Sequence, residues 1–128
     1  MEPTKKELLV RTALEAMQNA YVPYSHFQVG AALLCKDGSI FSGVNVENAS
    51  YGLTICAERT AVVKAVSEGH REFSGLVVAT NTSAPSSPCG ACRQFLSEFG
   101  DFPVWLVNPQ GEEIETSVSQ LLPLAFGF

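Results

Sequence analysis

The sequence predicts an α/β fold: a five-stranded mixed sheet sandwiched by helices, in the order α-β-β-α-β-α-β-β-α. Three observations carry this. Asp37-Gly38 separates two apolar runs and signals a tight hairpin, so the first two strands are antiparallel. Strand-like runs then alternate with helical patterns, which calls for parallel crossovers. Helix-opening signals recur between the strands, and helices on both faces of one sheet follow.

The first helix opens at a capping box, Thr4-Lys5-Lys6-Glu7, with Thr4 as N-cap. Leu8, Leu9, Ala13, Leu14, Met17 and Ala20 follow at helical spacing, giving a helix from Lys5 to about Asn19 that Tyr21-Val22-Pro23 breaks. Phe27 to Cys35 is apolar with small residues, as in a strand buried on both faces. Ile40 to Val46 returns as the second strand, and Glu47 to Leu53, rich in Asn, Ser and Gly, is a loop. The second helix starts near Thr54, carries Ala57, Ala61, Val62, Ala65 and Val66 on one face, and stops at Gly69. Leu76 to Thr80 is the third strand, and Asn81 to Pro88 a polar loop. A third helix spans Cys89 to Phe99, Val104 to Val107 is the fourth strand, Asn108 to Gly111 a turn, and Glu113 to Glu115 the fifth strand. Ser117-Val118-Ser119-Gln120 is a second capping box, opening a short helix through Leu122 that Pro123 ends, before the tail Leu124 to Phe128. With no repeat, linker or low-complexity segment, residues 1–128 read as one domain.

Charged residues are 16% of the chain, against about 25% in an average soluble domain. A short chain with so little charge cannot cover its surface with polar groups, so part of that surface is expected to lie against other copies of itself. The net charge is −5, with 8 Lys plus Arg and no basic run. That excludes the basic footprint a polynucleotide requires and favours a small neutral ligand. No apolar run approaches the ~20 residues of a membrane span, and Met1 to Glu7 has no signal-peptide core. The expected location is the cytoplasm, where clustered cysteines bind metal or catalyse rather than pair as disulfides.

Two stretches concentrate the chemistry. Cys56-Ala57-Glu58-Arg59 opens the second helix, and Pro88-Cys89-Gly90-Ala91-Cys92 places a CxxC at the start of the third. Free N–H groups and the positive dipole end at a helix N-terminus stabilise thiolates. Such a donor set selects zinc, with cobalt-like ions as substitutes. A closed structural site needs four protein ligands, whereas a catalytic one keeps three and an open position. Cys56, Cys89 and Cys92 make three. Cys35, at the end of an apolar strand and in no motif, reads as an ordinary buried cysteine, and His26 and His70 read as surface residues. Glu58 by itself would be a helix-start glutamate. Beside three thiols without a fourth ligand it reads as an acid/base next to the open position. Three thiolates leave a zinc site net negative, so Arg59, or Arg93 beside Cys92, is the expected counter-charge, each otherwise a solvated helix arginine.

Cys56-Ala57-Glu58 followed by Pro88-Cys89-Gly90-Ala91-Cys92 resembles the zinc deaminase signature, in its all-cysteine form. Together with Tyr24-Ser25-His26-Phe27-Gln28-Val29-Gly30-Ala31-Ala32 and Gly43-Val44-Asn45-Val46-Glu47-Asn48-Ala49-Ser50-Tyr51, it is similar to the small homotetrameric cytidine deaminases over almost the whole chain. The resemblance implies the cytidine deaminase-like fold, one zinc per subunit, and hydrolytic deamination of cytidine and 2′-deoxycytidine at C4, with zinc activating water and Glu58 shuttling protons. It also implies that Phe27 stacks on the pyrimidine, that Asn45 and Glu47 bond the ribose 3′-hydroxyl, and that the Ala57 backbone and Glu58 contact the base. The resemblance further implies that Arg59 bonds the zinc sulfurs, and that Phe126, Tyr51 and Ala49 lie near subunit interfaces, where they reach a neighbour's active site. The alternatives are a blasticidin-type deaminase, which the sugar motif Asn45-Val46-Glu47-Asn48 disfavours, and a non-catalytic structural zinc module, which requires a fourth ligand.

Overall fold

The computed structural model describes residues 4–127; Met1, Glu2 and Pro3 of the N-terminal reading, and Phe128 of the tail, lie outside the described residues. Helix α1 (Lys5–Met17) opens at the expected capping box. Thr4 Oγ1 accepts from the Glu7 N–H at 3.1 Å and Glu7 Oε2 from the Thr4 N–H at 3.3 Å. It ends short of Asn19 because the N–H groups of Asn19 and Ala20 turn to the carbonyls of Ala16 (2.8 Å) and Met17 (3.2 Å), tightening the final turn.

Strands β1 (Val29–Cys35) and β2 (Ile40–Val44) form the hairpin, with Gly38 at φ +95° in the turn. β2 stops before Val46 because Val46 leaves the ladder and exchanges backbone hydrogen bonds with Ile55, at 2.9 and 3.0 Å. That pairing holds Ile55 extended. Helix α2 (Ala57–Ser67) therefore starts at Ala57 with Cys56 as N-cap, not near Thr54, and a 3-10 turn (Tyr51–Leu53) occupies the expected loop. β3 (Phe73–Thr80) starts three residues before the expected Leu76, because Phe73 still pairs with Cys35 across a bulge. Then come α3 (Gly90–Ser97), capped by Cys89, β4 (Pro103–Val107), β5 (Glu113–Ser117) and α4 (Val118–Leu121). Ser117 caps α4 through the Gln120 N–H at 3.2 Å, while the Gln120 side chain accepts from the Thr116 hydroxyl at 3.3 Å.

The sheet order is β2-β1-β3-β4-β5. β1 runs antiparallel to β2 and β3, β3 pairs parallel with β4, and β5 returns antiparallel. The mixed five-stranded sheet of the sequence reading is therefore the observed one. Alternation along the strands divides the core. Ala31, Leu33, Leu76, Val78 and Val104 pack with Ala61, Val62 and Leu96 of α2 and α3. Ala32, Val77, Ala79 and Val107 pack with Leu9, Ala13 and Met17 of α1 on the other face. Each fully buried Leu or Val contributes about 1.5–3 kcal/mol.

Two glycines set the helix heights above the sheet. A Cβ on Gly30 would lie 2.1 Å from the Ala13 carbonyl oxygen of α1. A Cβ on Gly43 would lie 2.4 Å from the Ala57 carbonyl oxygen of α2. Both helices lie directly on strand backbone, and on the α2 side this seats the helix start that carries Cys56 and Glu58.

Candidate metal centre and active site

Two helix N-termini converge on one point. Cys56 caps α2, Cys89 caps α3, and Cys92 follows within the first turn of α3. The Cys56 and Cys89 sulfurs are 3.8 Å apart, those of Cys89 and Cys92 are 3.6 Å apart, and all three lie within 4.8 Å of one another. Thiolates ~2.3 Å from a tetrahedral zinc lie ~3.8 Å from each other, so the trio fits one ion. Cys35 belongs to a separate group with Asp37 and His70. The thiols that meet here are the expected three.

Their protonation suits a cation. The Cys56 thiol is held down at about 5, chiefly by hydrogen bonding from Cys92, with Arg59 assisting against burial. Cys92 is pushed upward because it supplies that bond and is buried. A metal ion bound among the sulfurs displaces their thiol protons. Arg59 Nη2 reaches the Cys56 sulfur at 3.7 Å and the Thr54 carbonyl at 3.3 Å. Its Nε is buried without a hydrogen-bond partner among the described residues, while the residue as a whole is half-buried. Arg93, the other expected counter-charge, is used elsewhere: it binds the Pro88 carbonyl at 2.9 Å and the Leu121 carbonyl at 2.8 Å.

Glu58, on the first turn of α2, is 4% exposed. Burial, reinforced by the charge at Cys56, raises its carboxyl to about 7. A carboxyl poised near neutrality can both take and give a proton, which a general acid/base requires.

A cavity of about 340 Å³ joins Cys56, Cys89 and Glu58 to Phe27, Asn45, Glu47 and Ala57, all on its wall. That is the lower end of the ~300–1,000 Å³ range of small-ligand sites. A roomier hollow of about 700 Å³ between α1 and Glu113 is lined by no cysteine and by no buried acid, so chemistry and not volume selects the site. Asn45 Nδ2 donates to the Phe27 carbonyl at 2.7 Å and its Oδ1 accepts from the Val29 N–H at 3.0 Å, which fixes the segment carrying Phe27. One N–H and one lone pair of the amide are left for a ligand. Glu47 Oε1 accepts from the N–H groups of Tyr24 (3.0 Å) and Ser25 (3.2 Å), and Oε2 from the Ser25 hydroxyl. These bonds, Ser25's hydroxyl foremost, keep its carboxyl below the usual range.

Ala49, Tyr51 and Phe126 are not on this wall. Ala49 is exposed, and Tyr51 and Phe126 are 77% and 71% exposed. His26 is also exposed, at φ +59°. The sequence reading missed Thr80, which is 2% exposed and lines the cavity from the end of β3. A threonine ending an apolar strand carries no signal of such a role. It also missed Ser25 as the clamp on Glu47, although Ser25 lies in a quoted motif.

Residues 3–107 match the model of the cytidine and deoxycytidylate deaminase zinc-binding region. A cytidine deaminase of Halalkalibacterium halodurans is 55% identical over 123 residues, covering 94% of this chain and 93% of that protein. The crystal structure of a cytidine deaminase from Burkholderia pseudomallei superposes with a TM-score of 0.90 at 50% identity, covering 93% of this chain and 97% of that one. A blasticidin-S deaminase of Bacillus cereus is 32% identical over 126 residues, covering 92% of this chain and 89% of that protein. The chain belongs to the cytidine and deoxycytidylate deaminase family, a family of zinc-binding enzymes.

Proposed function

We propose that residues 1–128 act as a single-domain cytidine deaminase, converting cytidine and 2′-deoxycytidine to uridine and 2′-deoxyuridine with release of ammonia. The observation that carries this reading is Glu58, buried beside three converging thiols and facing a nucleoside-sized cavity. Cys56, Cys89 and Cys92 hold the zinc, which supplies Lewis-acid activation of water. Glu58 takes a proton from the attacking water and delivers it to N3 of the pyrimidine as oxygen bonds to C4. It then passes the second proton to the exocyclic nitrogen, the C4–N bond breaks, and ammonia leaves a C4 carbonyl behind. Phe27 stacks on the ring, and the Ala57 backbone with Glu58 orients the base. Asn45 and Glu47 bond the ribose 3′-hydroxyl, and Arg59 offsets the thiolate charge.

The proposed assembly is a homotetramer in the cytoplasm, in which Ala49, Tyr51 and Phe126 complete a neighbour's site. Its support is apolar surface: Tyr51, Leu53, Ile55, Val63 and Phe126 are all exposed. No described helix is long and apolar enough to cross a membrane. The ligand is a small nucleoside and not a polynucleotide, in keeping with the net charge of −5. The blasticidin-type alternative has the 32%-identical relative behind it, but the higher identity to cytidine deaminases favours cytidine.

The test follows loss of cytidine absorbance with zinc content measured on the same sample, across a panel including 2′-deoxycytidine and blasticidin S. Turnover of both cytidine nucleosides that tracks zinc occupancy is expected. Zinc-loaded protein inert on cytidine but active on blasticidin S would replace the reading.

A further inference from the structure

Outside the active site, Cys35, Asp37 and His70 bring three ligand atoms within 4.8 Å of one another. We propose that they form a second metal site, taking a borderline-soft divalent ion such as Zn²⁺, at the junction of the β1–β2 turn and the end of α2.

The backbone builds this junction with care. Cys35 ends β1 at a bulge, where the ladder shifts register and a side chain is re-aimed. The Lys36 N–H donates to the Glu72 carbonyl at 2.9 Å, tying the hairpin turn to the segment after α2. Gly69, at φ +93°, turns the chain back, and the His70 N–H closes on the Ala65 carbonyl at 2.9 Å. The imidazole packs against Phe41, with ring centroids 5.2 Å apart.

The spacing fits coordination better than pairing. His70 Nδ1 lies 3.4 Å from Asp37 Oδ2. A charge-assisted hydrogen bond would be ~2.7–2.9 Å. Nitrogen and oxygen on a tetrahedral zinc at ~2.0–2.1 Å are ~3.3 Å apart. Cys35 is 2% exposed and packs in the core beneath the turn, so its sulfur is held in place within 4.8 Å of both groups.

One sulfur, one nitrogen and one oxygen select zinc and its neighbours over Mg²⁺ or Ca²⁺, which require all-oxygen shells. As the metal–sulfur bond forms, Cys35 releases its thiol proton to solvent, and thiolate plus carboxylate then balance the ion's charge. Asp37 and His70, though not the buried Cys35, line a hollow of about 360 Å³ that opens the oxygen and nitrogen side of the group to solvent and leaves room for water as fourth ligand. An ion here would join the hairpin to the C-terminal end of α2, whose other end carries Cys56 and Glu58, and would stabilise the folded chain by binding it alone.

The test equilibrates the zinc-replete protein with excess Zn²⁺, removes free metal, and measures zinc per chain and the melting temperature. His70→Gln and Cys35→Ser are run alongside, both remote from the active-site thiols. Wild type is expected to keep a second equivalent and to melt higher with added zinc. Both variants are expected to keep one, to show no zinc-dependent rise, and to retain deaminase turnover. Should Cys35→Ser not fold, His70→Gln decides. A single equivalent in wild type, or a second equivalent retained by a folded variant, would overturn the proposal.

Discussion

Gly43 of β2 faces the Ala57 carbonyl of α2 so closely that a Cβ added to Gly43 would sit 2.4 Å from that oxygen and 2.5 Å from the Ala61 nitrogen. Both obstacles are backbone, so neither can swing aside. Gly43→Ala must therefore lift the start of α2, with Cys56 and Glu58 on it. A loss of about 1–3 kcal/mol is expected, with weaker zinc retention and lower turnover. Gly30→Ala meets α1 on the opposite face, at 2.1 Å from the Ala13 carbonyl. It should destabilise as much while the folded fraction keeps its zinc. Chemical denaturation and zinc content of the two variants separate these outcomes, and equal zinc loss in both would contradict the assignment.

Asn108, read from sequence as a turn residue, is a hub. It is 1% exposed; its Nδ2 donates to the Thr82 carbonyl (3.1 Å), the Ser83 carbonyl (3.3 Å) and Glu112 Oε1 (2.8 Å), and its Oδ1 accepts from the Glu112 N–H at 2.9 Å. These bonds anchor the loop whose later residues, Ser86 to Pro88, line the cavity. Asn108→Ala removes these bonds and leaves a gap where a buried side chain stood, and should cost about 2 kcal/mol. Thermal melts give the cost, and a raised KM with kcat less affected would mark the loosened loop.

What could be read from sequence was local. The Thr4–Glu7 capping box, the Asp37-Gly38 turn and the Gly69 stop each act over a few residues, and each stands in the structure as expected. The start of α2 was misplaced because the pairing that fixes Ile55 comes from Val46, across the loop. The three thiols were legible because helix-start cysteines carry their own spacing. Thr80, Asn108 and the Cys35–Asp37–His70 group were not, because tertiary contacts alone bring them together. The place of Asn45 on the cavity wall was legible only through resemblance, and its bracing of Phe27 not at all.

That bracing shapes the next expectation. Asn45 holds Phe27 and Val29, and Glu47 is held by Tyr24 and Ser25, so the groups proposed to bond the ribose are set before the substrate arrives. A site built to bond a hydroxyl penalises ligands without one by leaving polar groups unpaired. Free cytosine should be a poor substrate, and Glu47→Ala should raise the KM for cytidine more than it lowers kcat. Steady-state kinetics check both, and efficient cytosine turnover would remove the ribose role from these residues.

Asp101 accepts from the Ser119 N–H at 2.9 Å and from its hydroxyl at 2.8 Å, joining the approach to β4 to the start of α4. These bonds, the backbone one foremost, hold its carboxyl below the usual carboxylate value. The folded pKa is thus lower than the unfolded one of about 3.9. The bonds therefore support folding above the unfolded pKa, and that support is lost as pH falls through the folded pKa. Asp101→Asn should be less stable than wild type at neutral pH, with the gap closing in acid. Denaturant midpoints across that range show it, and a gap that stays constant with pH would contradict the linkage.

Glu58→Gln separates the proposed proton shuttle from the metal site. The amide matches the carboxyl in size, so the cavity keeps its shape, while the thiols that hold zinc are untouched. What is lost is the exchangeable proton at a carboxyl that burial has brought to about 7, where it can serve as base toward water and acid toward N3. Removing a positioned general acid/base typically costs ~10²–10⁴-fold in rate. The variant should therefore bind zinc in full and bind cytidine, yet turn over at least ~10²-fold more slowly. Measuring kcat and zinc on one preparation keeps the two effects apart. A zinc-loaded Glu58→Gln protein with near-normal kcat would move the shuttle to another group, and the cavity offers no second buried acid among its described wall residues.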